Sequence, residues 1–273
     1  MRVVPLLLAA SLALAASAAA AAPQVQTYQI GVGIQSGSAV QRYRTTAVVV
    51  SFSASSRAQI AYVGGKRGKA GTYNDIPELM AANKVGLVMN GGFYTTDPAT
   101  PAGLLLIRGQ IISPLSFTSS ATLCVDRGGR MRILRTDDIK AVAKSIAQMC
   151  TDGLQAFPIV VAKGTNGIKP VELGRKPFVR TILGFRKDGS PVAVFFRNPV
   201  HLYAAAEFLR AAPGRGNVVQ VSGVAGQNVR ASGGLGLFEA VNLSGDADSF
   251  AALNGRVLLG DAYRELPSAI VIR

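Results

Sequence analysis

Short apolar segments rich in β-branched and aromatic residues recur along most of the chain, separated by clusters of glycine, serine and asparagine. This pattern is typical of strands joined by hairpins. It predicts strands within residues 27–62 and 268–273, and hairpins that turn at Arg108-Gly109, at 126–129, at 187–190 and at Asn254-Gly255. Residues 214–234 have little periodicity and are interpreted either as a long surface loop or as a loop containing one short strand, 217–221.

Three segments carry helical signals. Residues 76–83 follow Asn74 and Asp75, either of which can cap a helix, and residues 136–150 and 200–212 place apolar side chains on one face. Strands outnumber these helices. The sequence therefore predicts an α+β fold, a single domain with a mixed, largely antiparallel sheet and a few covering helices.

The first residues have the pattern of a secretory leader. One arginine precedes an apolar stretch that ends in small residues, so residues 1–22 are predicted to be a signal peptide and residues 23–273 the folded domain. No later segment is long and apolar enough to span a bilayer. We expect an exported protein, periplasmic or secreted.

Cys124 and Cys150 are the only cysteines. An oxidising compartment favours their pairing, but the sequence alone does not fix the distance between them, so a disulfide and two separate thiols both stay open. Two cysteines and one histidine argue against a zinc site.

The formal net charge is +14. The basic residues are scattered in ones and twos, and neither a tryptophan nor an aromatic-rich basic motif is present, which argues against specific nucleic-acid binding. The charge instead favours phosphorylated or otherwise anionic small molecules and polymers as partners.

The segment Val85–Tyr94, VGLVMNGGFY, is an apolar strand that ends in Asn90-Gly91-Gly92. Adjacent glycines allow a ligand to approach the backbone closely, and an asparagine offers a donor and an acceptor. The alternative is an ordinary hairpin turn.

Five segments, taken in chain order, resemble the phosphodiester glycosidase family over about residues 25–273. They are MNGGFY at 89–94, QAFP at 155–158, RTILGF at 180–185, HLYAAAEFLR at 201–210 and AVNLSGDADSFAALNG at 240–255. The resemblance implies hydrolysis of a sugar-1-phosphodiester on an envelope or extracellular glycan.

One motif departs from the family. Where the family has Asp-Gly-Gly-Gly-Ser, this chain has Ser244-Gly245-Asp246-Ala247-Asp248-Ser249. If the family aspartate is catalytic, its role here is lost or has moved to Asp246 or Asp248, which would then act as a pair or hold a divalent cation. The alternative is an aspartate-rich turn.

The resemblance assigns roles to further residues. Arg180 is the expected phosphate ligand and joins Asp246 and Asp248 as catalytic candidates. The expected substrate-binding residues are Asn90, Gly91, Gly92, Tyr94, Gln155, Thr181, Ser244 and Gly245. The Gln155 amide has a structural alternative, in which it satisfies a neighbouring loop. A catalytically impaired relative that binds phosphorylated glycan, and a basic protein that binds anionic polymer without specificity, remain as alternative functions.

Overall fold

The computed structural model describes residues 21–64, 71–95, 100–116, 121–135, 145–245 and 248–273. Its strands are β1 (Gln24–Ser36), β2 (Ala39–Ser51), β3 (Ala58–Val63), β4 (Thr72–Tyr73), β5 (Leu87–Asn90), β6 (Leu105–Ile107), β7 (Gln110–Ser113), β8 (Ala121–Val125), β9 (Met131–Arg135), β10 (Asp152–Ala156), β11 (Ile159–Ala162), β12 (Thr165–Asn166), β13 (Phe178–Phe185), β14 (Pro191–Val200), β15 (Val218–Val224), β16 (Arg230–Ala231), β17 (Glu239–Gly245), β18 (Ala251–Leu253), β19 (Arg256–Leu259) and β20 (Ser268–Ile272).

The helices in the described ranges are short. They are α1 (Ile76–Ala82), α2 (Ile146–Met149), α3 (Leu202–Arg210) and a 3₁₀ helix, Pro170–Gly174. Helix α1 begins where the sequence predicts, because the Asp75 carboxylate accepts a hydrogen bond of 2.7 Å from the Glu78 backbone N–H.

The strands form three sheets. The largest has nine strands in the order β12-β11-β17-β13-β14-β2-β1-β15-β16, and the smaller two have the orders β7-β6-β10-β8-β9 and β19-β18-β5-β20-β3-β4. Most neighbours are antiparallel; β1 with β15 and β3 with β4 are parallel.

Alternation along β2 shows how the nine-stranded sheet is packed. Ala47 and Val49 face α3, which covers what we call the helix face of the sheet. Val48 and Val50 face the two smaller sheets, which cover part of the opposite side, the sheet face. The sheet is therefore the middle layer, and its two faces contribute to different hydrophobic clusters.

The predicted α+β class is wrong. The protein is mostly β, with 51% strand and 12% helix in three sheets. The sequence overestimated the helices as a covering layer: α1 and α3 are only seven and nine residues long. Of the predicted helix at 136–150, residues 136–144 lie outside the described ranges, and α2 covers four of the others. Much of the core lies between sheets instead.

Predictions of turns and single strands agree with the structure better than the predicted fold class does. The hairpin turns at Arg108-Gly109 and Asn254-Gly255 are confirmed, with positive φ at all four residues. Residues 214–234 contain a true strand, β15, rather than only a loop. Cys124 on β8 and Cys150 after α2 are joined by a disulfide, with their Cα atoms 5.4 Å apart.

The predicted signal peptide falls almost wholly on residues 1–20, which lie outside the described ranges. Among the helices that are described, none combines the length and hydropathy required to cross a lipid bilayer.

Candidate functional site

A cleft of about 480 Å³ opens on the helix face of the nine-stranded sheet, where β13 and β17 lie side by side. Its lining combines three chemical types. The aromatic residues are Phe93, Phe157 and Phe178; the basic residues are Lys169, Arg175, Lys176 and Arg180; and the polar or acidic residues include Asn242 and Glu172. Such a mixture of apolar walls and convergent charge is typical of a ligand site.

Arg180 lies at the buried end of this cleft. It is 9% exposed, and its guanidinium carbon is 4.9 Å from the centroid of the Phe178 ring, a cation–π contact that fixes the plane of the group. A Cβ atom at Gly245 would lie 3.0 Å from Arg180 Nη1. A residue without a side chain at position 245 thus leaves room for the guanidinium in this orientation.

Asn242, on β17 opposite Ile182, is 1% exposed and lines the same cleft. Its Nδ2 donates a hydrogen bond of 3.2 Å to the Phe157 carbonyl oxygen. Its Oδ1 is buried and, within the part of the chain that the structure describes, accepts no hydrogen bond. An unmatched buried acceptor costs about 1–3 kcal/mol, so this oxygen is available for a donor on a ligand.

The basic wall of the cleft, residues 169–176, is attached to the start of α3. The Glu172 carboxylate accepts hydrogen bonds of 3.0 Å from the backbone N–H groups of Leu202 and Tyr203, which stabilises the helix N-terminus from outside the helix. Lys169 and Lys176 lie on either side of this anchor and line the cleft. The wall is therefore held in place by hydrogen bonds between the Glu172 side chain and the backbone of α3, and not by Lys169 or Lys176.

His201 provides a second anchor for the wall. Its Nε2 is 2.9 Å from the Arg175 carbonyl oxygen, which can only accept, so Nε2 carries the proton. In the neutral ring Nδ1 then accepts a hydrogen bond of 3.1 Å from the Tyr43 hydroxyl. Burial raises the pKa of Tyr43 to about 12, which keeps this donor protonated.

Two phenylalanine rings form an apolar side of the cleft. The centroids of Phe93 and Phe157 are 4.5 Å apart and the rings are stacked at 29°. Phe157 is 41% exposed, so one side of the pair meets solvent. A flat aromatic surface beside a cationic group suits a ligand with an apolar ring face and an anionic end.

A second cluster contains two of the predicted residues. The Tyr94 hydroxyl donates a hydrogen bond of 2.6 Å to Asp248 Oδ1, and Arg264 Nη2 lies 3.4 Å from the same oxygen. Burial, and then the hydrogen bond to Asp248, raises the pKa of Tyr94 above its ordinary value. The hydrogen bond with Tyr94 likewise raises the pKa of Arg264. These two contacts thereby orient the Asp248 carboxyl group.

The two clusters are joined by a short segment of chain. Gly245 contacts the Arg180 side of the cleft and Asp248 follows three residues later, so their Cα atoms lie within about 11 Å of each other. The other predicted acid, Asp246, lies outside the described residues. Within the described ranges, no three His, Cys, Asp or Glu residues form a group that could hold a metal ion.

Asn90, Gly91 and Gly92 all make contacts with other residues of the protein. Asn90 Oδ1 accepts a hydrogen bond of 3.1 Å from the Phe250 N–H, and Asn90 Nδ2 donates one of 2.9 Å to the Gly91 carbonyl. A Cβ atom at Gly91 would lie 2.2 Å from Ser268 Oγ, and one at Gly92 would lie 2.4 Å from the Gln155 carbonyl oxygen. These glycines allow strands to pack closely; their role as ligand contacts stays a prediction.

Gln155 is also held by its neighbours. Its Oε1 accepts hydrogen bonds from the N–H groups of Leu104 (2.8 Å) and Ser116 (2.7 Å), and its Nε2 donates one of 2.6 Å to the Ser116 carbonyl. This geometry agrees with the structural alternative, an amide that satisfies a neighbouring loop.

Three buried hydroxyl groups form a chain at the altered motif. Thr181 Oγ1 donates to Ser244 Oγ at 3.2 Å, and Ser244 Oγ lies 3.1 Å from Ser249 Oγ. Ser244, the first residue of this motif, is 1% exposed. The position therefore presents a buried, hydrogen-bonded hydroxyl group.

The sequence reasoning missed several cleft residues. Asn242 stood inside a recognised motif without being assigned a role. The basic wall was visible only as two lysine–proline pairs, at 169–170 and 176–177, shortly before the strand that carries Arg180. The aromatic side had no local signal, because Phe93, Phe157 and Phe178 come from three separate segments.

The sequence matches the model of the family described as phosphodiester glycosidase over residues 83–273. No curated protein sequence matches the chain. Among solved structures, the catalytic domain of zebrafish N-acetylglucosamine-1-phosphodiester alpha-N-acetylglucosaminidase, auto-inhibited by its pro-peptide, is 14% identical with a TM-score of 0.62, over 91% of this chain and 83% of that one.

Two bacterial structures are also similar. A hypothetical protein from Synechocystis is 11% identical with a TM-score of 0.57, over 84% of this chain and 59% of that one. A putative exported protein from Burkholderia pseudomallei is 12% identical with a TM-score of 0.51, over 84% of this chain and 74% of that one. At these identities the likeness establishes the fold.

Proposed function

The chain belongs to the phosphodiester glycosidase family, and from this premise we propose that it is an exported hydrolase that cleaves a sugar-1-phosphodiester on an envelope or extracellular glycan. The observation that carries the proposal is the placement of Arg180 at the buried end of a cleft that also presents a basic wall and an aromatic side. A phosphodiester joined to a sugar ring has the matching charge and shape.

The substrate pose follows from the lining. The phosphodiester anion lies against the Arg180 guanidinium, which can offer two parallel N–H donors. Lys169 and Lys176 lower the cost of bringing further negative charge into the cleft. The sugar ring packs on the Phe93–Phe157 pair, and one of its hydroxyl groups donates to Asn242 Oδ1.

The reaction breaks the bond between the anomeric carbon and the phosphodiester oxygen. A water oxygen bonds to the anomeric carbon, its proton passes to a carboxylate, and the electron pair of the broken bond stays on the phosphate oxygen. The products are a free sugar and a phosphomonoester. Because phosphate is a good leaving group, the reaction needs no strong general acid, and Arg180 stabilises the charge that develops on the phosphate.

Asp248 is the described carboxylate that best suits the role of base. Tyr94 and Arg264 engage Oδ1, which fixes the orientation of the carboxylate. It follows Gly245, which contacts Arg180, by three residues, so their Cα atoms lie within about 11 Å of each other. Asp246 is the second candidate and shares the segment.

A second function rests on Ser244. The leading carboxylate of the family motif is absent, and its replacement is a buried hydroxyl in a chain with Thr181 and Ser249. A relative without that carboxylate would retain the cleft and bind a phosphorylated glycan without hydrolysing it.

Export rests on two supports. The leader pattern of residues 1–22 favours it, and the disulfide between Cys124 and Cys150 suits an oxidising compartment. Cell fractionation with full-length chain tests it directly, since export requires the mature protein outside the cytoplasm and cleavage near residue 22.

The activity is tested with a panel of chromogenic sugar-1-phosphodiesters, with and without divalent cation. The variants are Arg180→Ala, Asp246→Asn and Asp248→Asn, and Arg197→Ala serves as an exposed arginine control. Turnover that is lost in Arg180→Ala and in one aspartate variant supports the hydrolase. Saturable binding of a sugar phosphodiester that depends on Arg180, with no turnover, supports the binding relative. Neither turnover nor binding contradicts both.

A further inference from the structure

Part of the sheet face of the nine-stranded sheet is not covered by the smaller sheets. The exposed part lies on four adjacent strands, namely the first half of β2 together with β1, β15 and β16. The alternate residues of these strands that pack into the helix-face cluster, such as Ile30, Val32 and Val221, are buried. Their neighbours along each strand point to the opposite side and face solvent.

The exposed side chains form cross-strand rows. In one row Arg42 lies opposite Gly33, Gly33 opposite Ser222, and Ser222 opposite Arg230. At a strand spacing of about 4.8 Å, the two arginines are about 14 Å apart. A Cβ atom at Gly33 would meet nothing within 4 Å, so the middle of the row is open.

The next row carries Arg44, Gly31 and Gln220. The Gln220 amide lies across Gly31, since a Cβ atom there would be 2.4 Å from Gln220 Nε2. We call the two rows together the arginine platform: Arg42, Arg44, Gly31, Gly33, Gln220, Ser222 and Arg230. Its three arginines are exposed. Within the described ranges, no group accepts a hydrogen bond from their guanidinium groups.

The platform has no carboxylate near it in the sequence. The first acidic residue of the chain is Asp75, and none occurs between Glu207 and Glu239. All four strands of the platform lie in these two stretches, although the chain contains 15 acidic residues. The strands of the platform therefore contribute positive charge and no negative charge to this surface.

The platform and the cleft are separate. Arg180 is on the helix face, where the cleft includes Ile168 and Leu202 of the helix-face cluster. Arg42 and Arg44 are on the sheet face, since they alternate with Tyr43 and share the parity of Val48. A small substrate in the cleft therefore cannot contact the platform.

We infer that the arginine platform is a second, non-catalytic binding surface for an anionic polysaccharide that carries phosphodiesters, the polymeric form of the substrate class of the cleft. The identity of the polymer rests on the proposed function, while the existence of the surface does not. The arginines bind phosphate groups, Gln220 and Ser222 hydrogen-bond with sugar hydroxyls, and the glycines keep the surface flat enough for an extended chain.

The observations favour a polysaccharide over the other polyanions. No aromatic side chain lies in either row, so the platform lacks the stacking surfaces that single-stranded nucleic acids use. Three exposed valines, Val25, Val40 and Val218, lie on this face. Val40 and Val218 lie opposite Gln35 and Gln29, about 20 Å apart along β1, and Val25 lies about 13 Å from Gln29, so they form no continuous apolar patch for a lipid surface.

Binding is tested in the Arg180→Ala protein, which separates the platform from the cleft and from turnover. The probe is a short synthetic oligomer of hexoses joined by 1→6 phosphodiesters, and the platform variant is Arg42→Gln/Arg44→Gln/Arg230→Gln. The matched control is Arg127→Gln/Arg132→Gln/Arg256→Gln, which removes the same charge from three other exposed positions. We expect the platform variant to lose about tenfold in affinity, which is about 1.4 kcal/mol, and the control to change little.

Salt and competitors complete the test. The affinity should fall with salt in the parent, and the slope should be smaller in the platform variant. The same hexose oligomer without phosphate should not bind. Equal losses in the platform and control variants would overturn the inference, as would tighter platform-dependent binding of oligothymidylate or of anionic phospholipid vesicles. When the three platform substitutions are made in the wild-type protein, turnover of a small chromogenic substrate should be unchanged, so a failure of catalysis and a failure of the platform give different results.

Discussion

The Tyr94 hydroxyl lies 2.6 Å from Asp248 Oδ1 and connects the NGGFY segment to the altered motif, 154 residues further along the chain. Asp248 is acidic and partly exposed, and one side-chain oxygen has two donors, Tyr94 and Arg264. The Tyr94 hydroxyl therefore orients the Asp248 carboxylate. A direct contact of Tyr94 with substrate stays a prediction.

Replacing Tyr94 by phenylalanine removes this hydrogen bond and keeps the ring. A hydrogen bond to a charged group contributes about 1.5–3 kcal/mol, so we expect kcat to fall by about tenfold or more while KM changes little. Steady-state kinetics on a chromogenic sugar-1-phosphodiester measures both constants.

The control is Tyr263→Phe, because Tyr263 is 84% exposed and its hydroxyl is not used in the cluster. Equal kinetics for the wild type and Tyr94→Phe, in a protein that hydrolyses the substrate, would show that the orientation of Asp248 does not matter for the reaction.

Gly245 provides a test of how finely Arg180 is positioned. Alanine at this position would place its Cβ atom 3.0 Å from Arg180 Nη1 and 3.6 Å from Phe178 Cβ. The guanidinium can shift to relieve the contact, so unfolding should change little. A misplacement of about 1 Å can cost up to about a hundredfold, and we expect kcat/KM to fall by tenfold or more.

Gly33→Ala is the matched control, since a Cβ atom at Gly33 meets nothing within 4 Å and Gly33 lies on the opposite face of the sheet from the cleft. Thermal unfolding and kinetics are measured on both variants. A large loss of stability in Gly245→Ala with unchanged kcat/KM would mean that the glycine serves packing and not the position of Arg180.

Features of the fold that depend on neighbouring residues could be predicted from the sequence. The Asn254-Gly255 turn needs positive φ at both positions, and those residue types favour it wherever they occur. Asp75 caps α1 through the N–H group of a residue three positions later. Each of these signals is local, so the remaining fold does not change it.

The layering could not be predicted in the same way. Strand β15 lies beside β1, although nearly 190 residues separate them, and no local pattern marks a parallel pair of such separation. The sequence therefore left residues 214–234 open between loop and strand. The overestimate of helix has a related cause: the apolar stripes at 76–83 and 200–212 do mark helices, but most of the core is formed by sheets packing on one another, and this depends on the whole topology.

The candidate site was partly predictable for a similar reason. Arg180 was found because it stands in a motif, whereas Lys169 and Phe93 reach the cleft from distant segments. Asn90 and Gln155 also stand in motifs, but their side chains hydrogen-bond with neighbouring backbone groups. A motif in a sequence marks a position that is constrained, and the structure is needed to tell a constraint of packing from one of binding.

Substitution of Asn242 can distinguish a residue constrained by packing from one constrained by ligand binding. Asn242→Ala removes a buried oxygen that has no donor in the described part of the chain, together with the hydrogen bond from Nδ2 to Phe157. Removal of the unmatched oxygen should stabilise the fold, and removal of the hydrogen bond should destabilise it. The free energy of unfolding should therefore change by less than about 1 kcal/mol. The ligand loses an acceptor, and KM should rise.

Denaturant unfolding and substrate titration are the two measurements for this variant, with Asn198→Ala as an exposed asparagine control. A clear loss of stability together with unchanged KM would assign Asn242 to packing alone.

The pKa of Tyr43 gives a prediction about alkaline pH. Burial raises it from 10.0 to about 12 in the folded protein. The unfolded chain therefore loses this proton first, and the contribution of Tyr43 to stability is complete below pH 10 and is lost as the pH rises towards 12. Two pKa units correspond to a loss of stability of at most about 2.7 kcal/mol.

Denaturant unfolding at a series of alkaline pH values should show a steeper loss of stability in the wild type than in Tyr43→Phe. Tyr263→Phe should follow the wild type, because Tyr263 is exposed. Parallel curves for the wild type and Tyr43→Phe would mean that the Tyr43 hydroxyl, and with it the hydrogen bond to His201 behind the basic wall, is open to solvent.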